Sequence, residues 1–300
     1  MVAFFLQYLR YQKRRSRHTV DAYESDLVQF ENFLQSLVVE FAEKAGKSDI
    51  RSWIIELSEA GYSPNSINRK LSSLRSFFDF LIREGKISTH PMTSIRSLKK
   101  PKRLPEYVKE KNMKNLFENS IFSTHFSGLR DRLIMELLYG TGMRLSELIG
   151  LKPESISFQE SKILVLGKRS KERWIPLHQN LVVLLKDYLH TIENTLPDRS
   201  VNVLIVTDKG KPAYPVFIER IVKKYLSLVT TEKKKSPHVL RHTFASHLLN
   251  AGAGISSIKE LLGHSSLAAT QIYAHNSVAK LKQAYGLAHP RANRKLDETM

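Results

Sequence analysis

Apolar positions over the first hundred residues recur at intervals of three and four, the spacing of one helix face. Phe4, Phe5, Tyr8 and Leu9 make a short stripe; Val20, Tyr23, Leu27, Phe30, Phe33, Leu34 and Leu37 make a long one. Ile50, Trp53, Ile54 and Leu57 form a third, with Asp49 placed to cap it. A fourth opens at Ser63-Pro64, where an N-cap hydroxyl and a first-turn proline belong, and runs through Ile67, Leu71, Leu74, Phe78 and Leu81 to Gly85. The pattern then stops. The stretch SLKKPKRLPEY, from Ser97 to Tyr107, has Pro101 and Pro105 to bar a helix and Lys99, Lys100, Lys102 and Arg103 to add charge. It reads as an extended tether long enough to cross a duplex.

Periodicity resumes beyond the tether. Helices are predicted around Asn115 to Phe117, over Leu129 to Tyr139, through Leu181, Val182, Leu184, Leu185, Tyr188 and Leu189, and over Phe217 to Leu228. Lys162 to Leu177 reads as two strands joined by a Gly-Lys-Arg-Ser-Lys-Glu turn. Val203 to Thr207 reads as a further strand, ended by Asp208-Lys209-Gly210. A last helix is expected over Val278 to about Tyr285, followed by a polar tail that Pro290 keeps from continuing it. The expected fold class is mainly α: an all-helical N-terminal domain over 1–98, a basic linker over 99–107, and a larger α+β domain with a small antiparallel sheet over 108–300, tail included.

Charge sharpens this picture. The 300-residue chain carries 47 Lys and Arg against 29 Asp and Glu, a net charge of +18. So basic a balance points to a polyanion, most often nucleic acid. The face of the fourth helix opposite its apolar stripe holds Asn65, Asn68, Arg69, Lys70, Ser72, Ser73 and Arg75, short polar groups mixed with cations that suit phosphate and base-edge contacts. Arg69, Lys70 and Arg75 are the DNA-binding candidates there, and Arg14, Arg15, Arg17 and His18 form a second basic cluster. A solvated helix face is the ordinary alternative for both. There is no Cys, which excludes a disulfide scaffold and thiolate metal sites and fits a reducing compartment. The first residues, MVAFFLQYLRYQKRRSRH, do not read as a secretion signal, because charge follows the short apolar run instead of preceding it. No apolar stretch approaches a membrane span.

The chemistry concentrates in HVLRHTFASHLLNAGAGISSIKELLGHSSLAATQIY, His238 to Tyr273. Val239, Leu240, Phe244, Leu248 and Leu249 predict a helix entered at Ser236-Pro237, with His238 and Arg241 three residues apart on one face. Gly252 and Gly254 break it, and a short helix from Ile255 to Leu262 follows, with Ile255, Ile258, Leu261 and Leu262 inward. His264 comes at the turn after Gly263, and Tyr273 lies one short helix on. A guanidinium forks onto phosphate oxygens, imidazoles move protons near neutral pH, and a tyrosine hydroxyl can be a covalent nucleophile. Alone, a His three residues from an Arg is commonplace in a basic chain; a core histidine and a surface arginine are its ordinary reading. Zinc at the one-turn pair His238 and His242 lacks both the Glu of a metalloprotease helix and an evident third ligand. The segment GTGMRLSELIGL adds Arg144 at the start of a short helix, where a cation opposes the helix dipole and so sits at some cost. The hairpin presents Lys168 at its tip, with Lys171 a competitor.

These segments together resemble the tyrosine recombinase (phage integrase) family, and within it the Xer-type site-specific recombinases; the resemblance covers nearly the whole chain. The catalytic set it implies is Arg144 in MRLSEL, Lys168 in LGK, His238 and Arg241 in SPHVLRH, His264 in LLGHSS and Tyr273 in TQIYAH, none of them substituted. Lys168 is preferred to Lys171 because it directly follows Gly167, as in the family, and Tyr273 is preferred to Tyr225 and Tyr285 by its place after His264. The implied chemistry is DNA cleavage through a 3′-phosphotyrosine, with Arg144 and Arg241 on the nonbridging oxygens, His238 taking the tyrosine proton, His264 orienting, and Lys168 protonating the departing 5′ oxygen. Neither ATP nor a metal cofactor is expected. The resemblance further implies a SAM-like core-binding N-terminal domain, a C-shaped clamp on double-stranded DNA at a specific site, a homo- or heterotetramer with a second Xer-type recombinase, a cytoplasmic location, and resolution of chromosome or plasmid dimers. The ending AHPRANR leans to the XerC side, and helices that begin almost at once favour Xer over an arm-bearing integrase. An integrase of a mobile element with the same chemistry is the alternative. A relaxing topoisomerase and a DNA-binding protein that has lost catalysis are more distant ones.

Overall fold

The computed structural model describes residues 1–37, 39, 44–99, 106–119, 121–167, 171–196 and 201–263. The chain divides into two compact units, Met1–Arg103 and Leu104–Met300. The linker residues 100–105, the predicted last helix and the tail lie outside the described residues.

The first unit is helical among its described residues: α1 (Val2–Gln7), a π-helical turn (Tyr8–Gln12), α2 (Arg17–Ser36), α3 (Lys47–Glu59) and α4 (Pro64–Arg83). The stripes become its core, where Phe5, Leu27, Phe30, Trp53, Leu71, Phe77 and Phe78 are fully buried. Ser16 and Ser63 cap α2 and α4 by accepting from Thr19 N (3.3 Å) and Ser66 N (3.2 Å). Asp49 does not take the cap position; it sits in the first turn of α3, and its carboxylate reaches back to the Gly46 N–H at 2.7 Å. Phe4 and Leu37, expected inward, are 64% and 44% exposed at the ends of their stripes. A buried carboxylate that periodicity does not reveal pins α2 to α4: Asp26 accepts from Lys70 (3.0 Å), from Ser73 (2.7 Å) and from Arg69. The Asn68 amide accepts from Leu98 N (2.8 Å) and donates to Leu98 O (2.9 Å), folding the segment after α4 back onto the helix.

In the second unit, α5 (Glu110–Glu118) is followed by α6 (Phe126–Thr141), α7 (Leu145–Ile149), strands β1 (Ile156–Ser157), β2 (Lys162–Leu166) and β3 (Glu172–Pro176), and then α8 (Gln179–Thr195), α9 (Pro215–Val229), α10 (Pro237–Asn250) and α11 (Ile255–Leu262). The sheet is antiparallel in the order β1-β2-β3, with Ile163 opposite Ile175 and Val165 opposite Arg173. The short β1 escapes a reading that needs several alternating residues. The segment Val203 to Thr207 makes a single bridge, Val206 to Pro212, and not a strand. Its backbone bonds go to Leu151 and across the tight turn at Lys211 instead of to a neighbouring strand. Helix α6 is buried on every side from Leu133 to Thr141, wedged between α8 and α10, and the site is built around its C-terminal end.

Candidate active site

Helix α10 places His238 and Arg241 at different depths. Val239, Leu240, Phe244 and Leu248 turn inward, whereas Leu249, the last of the predicted stripe, is 49% exposed because the helix ends a residue later. His238 is exposed at the first turn, and Arg241 one turn on is only 8% exposed. The Arg241 guanidinium donates to Gly142 O and Leu262 O, both at 2.6 Å. Thr243 and His247 anchor the same helix to the entry of the unit. Thr243 Oγ1 accepts from Val108 N at 3.0 Å, and His247 Nε2 faces Val108 O at 2.9 Å. A carbonyl only accepts, so Nε2 carries the proton, and Nδ1 of the neutral ring takes the Tyr139 hydroxyl at 2.9 Å. Burial pushes this imidazole below its ordinary value.

Arg144 sits between α6 and α7. Gly142, just before it, adopts φ +61°, and a Cβ there would lie 2.4 Å from the Phe244 ring; both facts call for glycine. Arg144 takes the N-cap position of α7, and Glu147, three residues on, offsets the cation's conflict with the helix dipole. The Glu147 carboxylate accepts from Arg144 N (2.8 Å) and from Arg144 Nη1 (2.7 Å). It also accepts a two-pronged pair of bonds from Arg173 of β3, at 2.9 and 2.8 Å. Three consecutive carbonyls at the end of α11 then take one arginine each: Leu261 O from Arg173 Nε (2.8 Å), Leu262 O from Arg241 (2.6 Å) and Gly263 O from Arg144 Nη2 (3.2 Å). A helix C-terminus leaves such carbonyls without intrahelical donors and carries partial negative charge, so it gathers cations. Ile255, expected inward on α11, is 59% exposed in its first turn; Ile258, Leu261 and Leu262 are buried.

The cluster holds three guanidiniums against one carboxylate. Burial alone would raise the Glu147 carboxyl, but hydrogen bonds from Arg173 and Arg144 outweigh it and hold the group at about 2. Burial, then the charges of Arg144 and Arg173, push the Arg241 guanidinium down to about 10. The site is therefore short of negative charge at neutral pH. An arriving anion would relieve that repulsion.

Of the six predicted catalytic residues, the structure brings Arg144 and Arg241 together at the end of α11 and sets His238 on the rim of α10. Lys168, His264 and Tyr273 lie outside the described residues. Their immediate neighbours do not: a Cβ on Gly167 would lie 3.5 Å from Arg173 Nη1 and 3.6 Å from Glu147 Oε1, and one on Gly263 would lie 3.0 Å from Arg173 Nη1. The competitors are placed elsewhere. Lys171 is exposed at the start of β3, and Tyr225 is buried on α9, its hydroxyl donating to Asp131 at 3.2 Å. Burial, then the Asp131 charge, pushes that hydroxyl up to about 12, the wrong direction for a nucleophile. Tyr285 lies outside the described residues.

The DNA-binding candidates separate. Lys70 is corrected: its side chain is 6% exposed, and its ammonium is committed to the buried Asp26. Asn68 and Ser73 are also turned into the unit. Arg69 touches Asp26 yet keeps a side chain that is 49% exposed, beside Asn65, Ser72 and Ser97 in an open polar depression of about 410 Å³. Arg75 is partly buried and donates to Ile95 O at 3.2 Å. Two functional-site residues escaped the sequence reading. Glu147 had a signal, since an acidic residue three after a helix start is a capping position. Arg173 had a weaker one: it shares a strand face with Ile175, opposite the buried Val165, where a charge is out of place.

The phage integrase family matches residues 106–280, and the phage integrase N-terminal SAM-like domain matches residues 2–85. The tyrosine recombinase XerC of Chlorobaculum tepidum is 35% identical, over 96% of this chain and 94% of that one. The tyrosine recombinase XerC of Bacillus subtilis is 37% identical, over 98% and 97%. Among solved structures, the XerH site-specific recombinase bound to a palindromic difH substrate shares the fold with a TM-score of 0.71 at 20% identity, over 96% of this chain and 84% of that one. Two family matches in succession, and relatives that run nearly end to end with it, agree with the cluster of cations that α6–α7, β3 and α10 bring to the end of α11: the chain belongs to the phage integrase family and is a XerC-like tyrosine recombinase, an enzyme that cuts and rejoins DNA.

Proposed function

We propose that this enzyme recombines double-stranded DNA at a specific site, in a tetramer with copies of itself or with a second Xer-type recombinase, and resolves chromosome or plasmid dimers in the cytoplasm. Arg144 and Arg241 take the nonbridging oxygens of the scissile phosphate. The Tyr273 hydroxyl oxygen attacks phosphorus as its proton passes to His238. The bond from phosphorus to the 5′ oxygen breaks, Lys168 protonates that oxygen, and the 3′ phosphate stays joined to Tyr273. His264 orients the phosphate. Attack by the 5′ hydroxyl of a partner strand reverses each transfer and releases the tyrosine. The bond energy is kept in the phosphotyrosine, so the cycle is isoenergetic.

The observation that carries this reading is the convergence of Arg144 and Arg241 on adjacent carbonyls of α11, with an excess of positive charge where Arg241 is buried and Arg144 reaches the surface. Fixed cations aimed at one point are what a phosphoryl transition state requires. No helix among the described residues is long and apolar enough to cross a membrane. The test begins with selection of bound genomic fragments and footprinting to define the site. A plasmid carrying two such sites is then supplied with this enzyme, alone and with the host's second Xer-type recombinase. Resolution into two circles is the expected result. Relaxation of supercoils on DNA lacking any site would place the chain with topoisomerases instead. A site found only at the ends of a mobile element would favour the integrase alternative.

A further inference from the structure

Arg173 is not among the six residues carried over from the family, yet it binds one of the two groups that accept from the Arg144 side chain and anchors the backbone two residues before the other. Its Nη1 and Nη2 bind the two oxygens of Glu147, one of which also takes Arg144 Nη1. Its Nε binds Leu261 O, two residues before the Gly263 carbonyl that takes Arg144 Nη2. We propose that Arg173 is a positioning residue for DNA cleavage: by fixing the Glu147 carboxylate and the Leu261–Gly263 turn it sets the direction in which the Arg144 guanidinium meets the scissile phosphate. This rests on the reading of Arg144 as a phosphate ligand.

First, Glu147 is almost fully buried, with 2% of its side chain exposed, and a buried carboxylate must be fully paired. With Arg173 present, each Glu147 oxygen takes one bond from Arg173 and one from Arg144. Without it, the vacated lone pairs draw the remaining Arg144 N–H groups into a two-pronged pair, turning them from the phosphate. Second, only arginine fits. The three bonds leave Nε, Nη1 and Nη2 in different directions, and a lysine has one nitrogen. Third, Arg173 lies at the roots of both remaining catalytic segments. Gly167 and Gly263, which precede Lys168 and His264, each bring their backbone against its guanidinium, where a Cβ would come within 3.5 and 3.0 Å.

The test uses the full chain and a nicked duplex carrying its footprinted site, read by mobility shift, thermal denaturation and the single-turnover rate of covalent complex formation. Arg173→Gln and Arg173→Lys are expected to bind within about twofold of the unsubstituted protein and to cleave about tenfold more slowly or worse. If Arg173→Gln does not fold, Arg173→Lys, which keeps the charge and one bond, carries the test. The decisive readout is coupling. Arg144→Lys, chosen to retain a measurable rate, cannot reach both acceptors at once, so adding Arg173→Lys to it slows cleavage by less than about twofold. Cleavage by Arg173→Lys at the unsubstituted rate overturns the proposal, and so does a tenfold loss that persists in full on the Arg144→Lys background. Full-rate cleavage by Arg144→Ala would instead refute Arg144 as a phosphate ligand, whatever Arg173 does.

Discussion

The Glu147 carboxyl is held near 2, below its ordinary value of 4.5. Its contribution to stability is therefore present in full above about pH 4.5 and is lost as pH falls through about 2. Glu147→Gln should cost on the order of 3 kcal/mol at neutral pH and flatten the stability curve between those two values. Urea denaturation across that range measures it, and an unchanged acid slope in the variant would contradict the pairing. A second prediction concerns leaving-group chemistry. Lys168→Ala should lose cleavage, and a 5′ sulfur at the scissile bond should restore it, because a thiolate leaves without a proton. Arg144→Ala loses charge stabilisation instead and should not be restored; equal rescue of both would sink this division of roles. Arg144, His238 and Arg241 could be proposed from the sequence because their motifs are contiguous in it. Glu147 and Arg173 could not, because their part depends on which groups they meet across α7, β3 and α11.

Helix α4 shows what a helical repeat tells and what it leaves out. Ile67, Leu71, Leu74, Phe78 and Leu81 face the core as their spacing predicts. The polar face divides in a way that spacing does not reveal, because Asp26 on α2 draws Lys70 and Ser73 inward. A substitution beneath that face, on α2, and one on the face itself should accordingly behave differently. Asp26→Ala leaves the Lys70 ammonium buried without its carboxylate and should destabilise the chain by about 3 kcal/mol or more. Arg69→Glu loses one donor to Asp26 and sets a like charge beside it, so it should lower stability by urea denaturation, less than Asp26→Ala because Lys70 and Ser73 still hold the carboxylate, and should weaken DNA binding. Unchanged footprints with Arg69→Glu would return this face to an ordinary solvated surface. Leu249 and Ile255 mark the same limit at helix ends, where the repeat continues on paper but the residue stays exposed.

Across the whole molecule, a net charge of +18 makes affinity for DNA a steep function of salt. Each phosphate contact contributes a slope of about −0.9 in log affinity against log salt, so a flat titration would remove the electrostatic basis of binding. Charge and periodicity made the two-part organisation and the polyanion partner legible; the target sequence is written in surfaces that neither reports. The tail, with Arg291, Arg294 and Lys295 ahead of Asp297 and Glu298, lies outside the described residues. Deleting Ala288 to Met300 should leave single-site binding intact, reduce cooperative assembly and change the cleavage rate. Recombination of paired sites at the full rate would make the tail idle. The central claim is that Tyr273 becomes covalently joined to DNA, and the direct measurement is adduct formation on a nicked site with the enzyme and with Tyr273→Phe. A denaturant-resistant complex through the 3′ phosphate is expected for the enzyme, and none for the variant despite equal binding; an adduct formed by Tyr273→Phe would contradict the assignment.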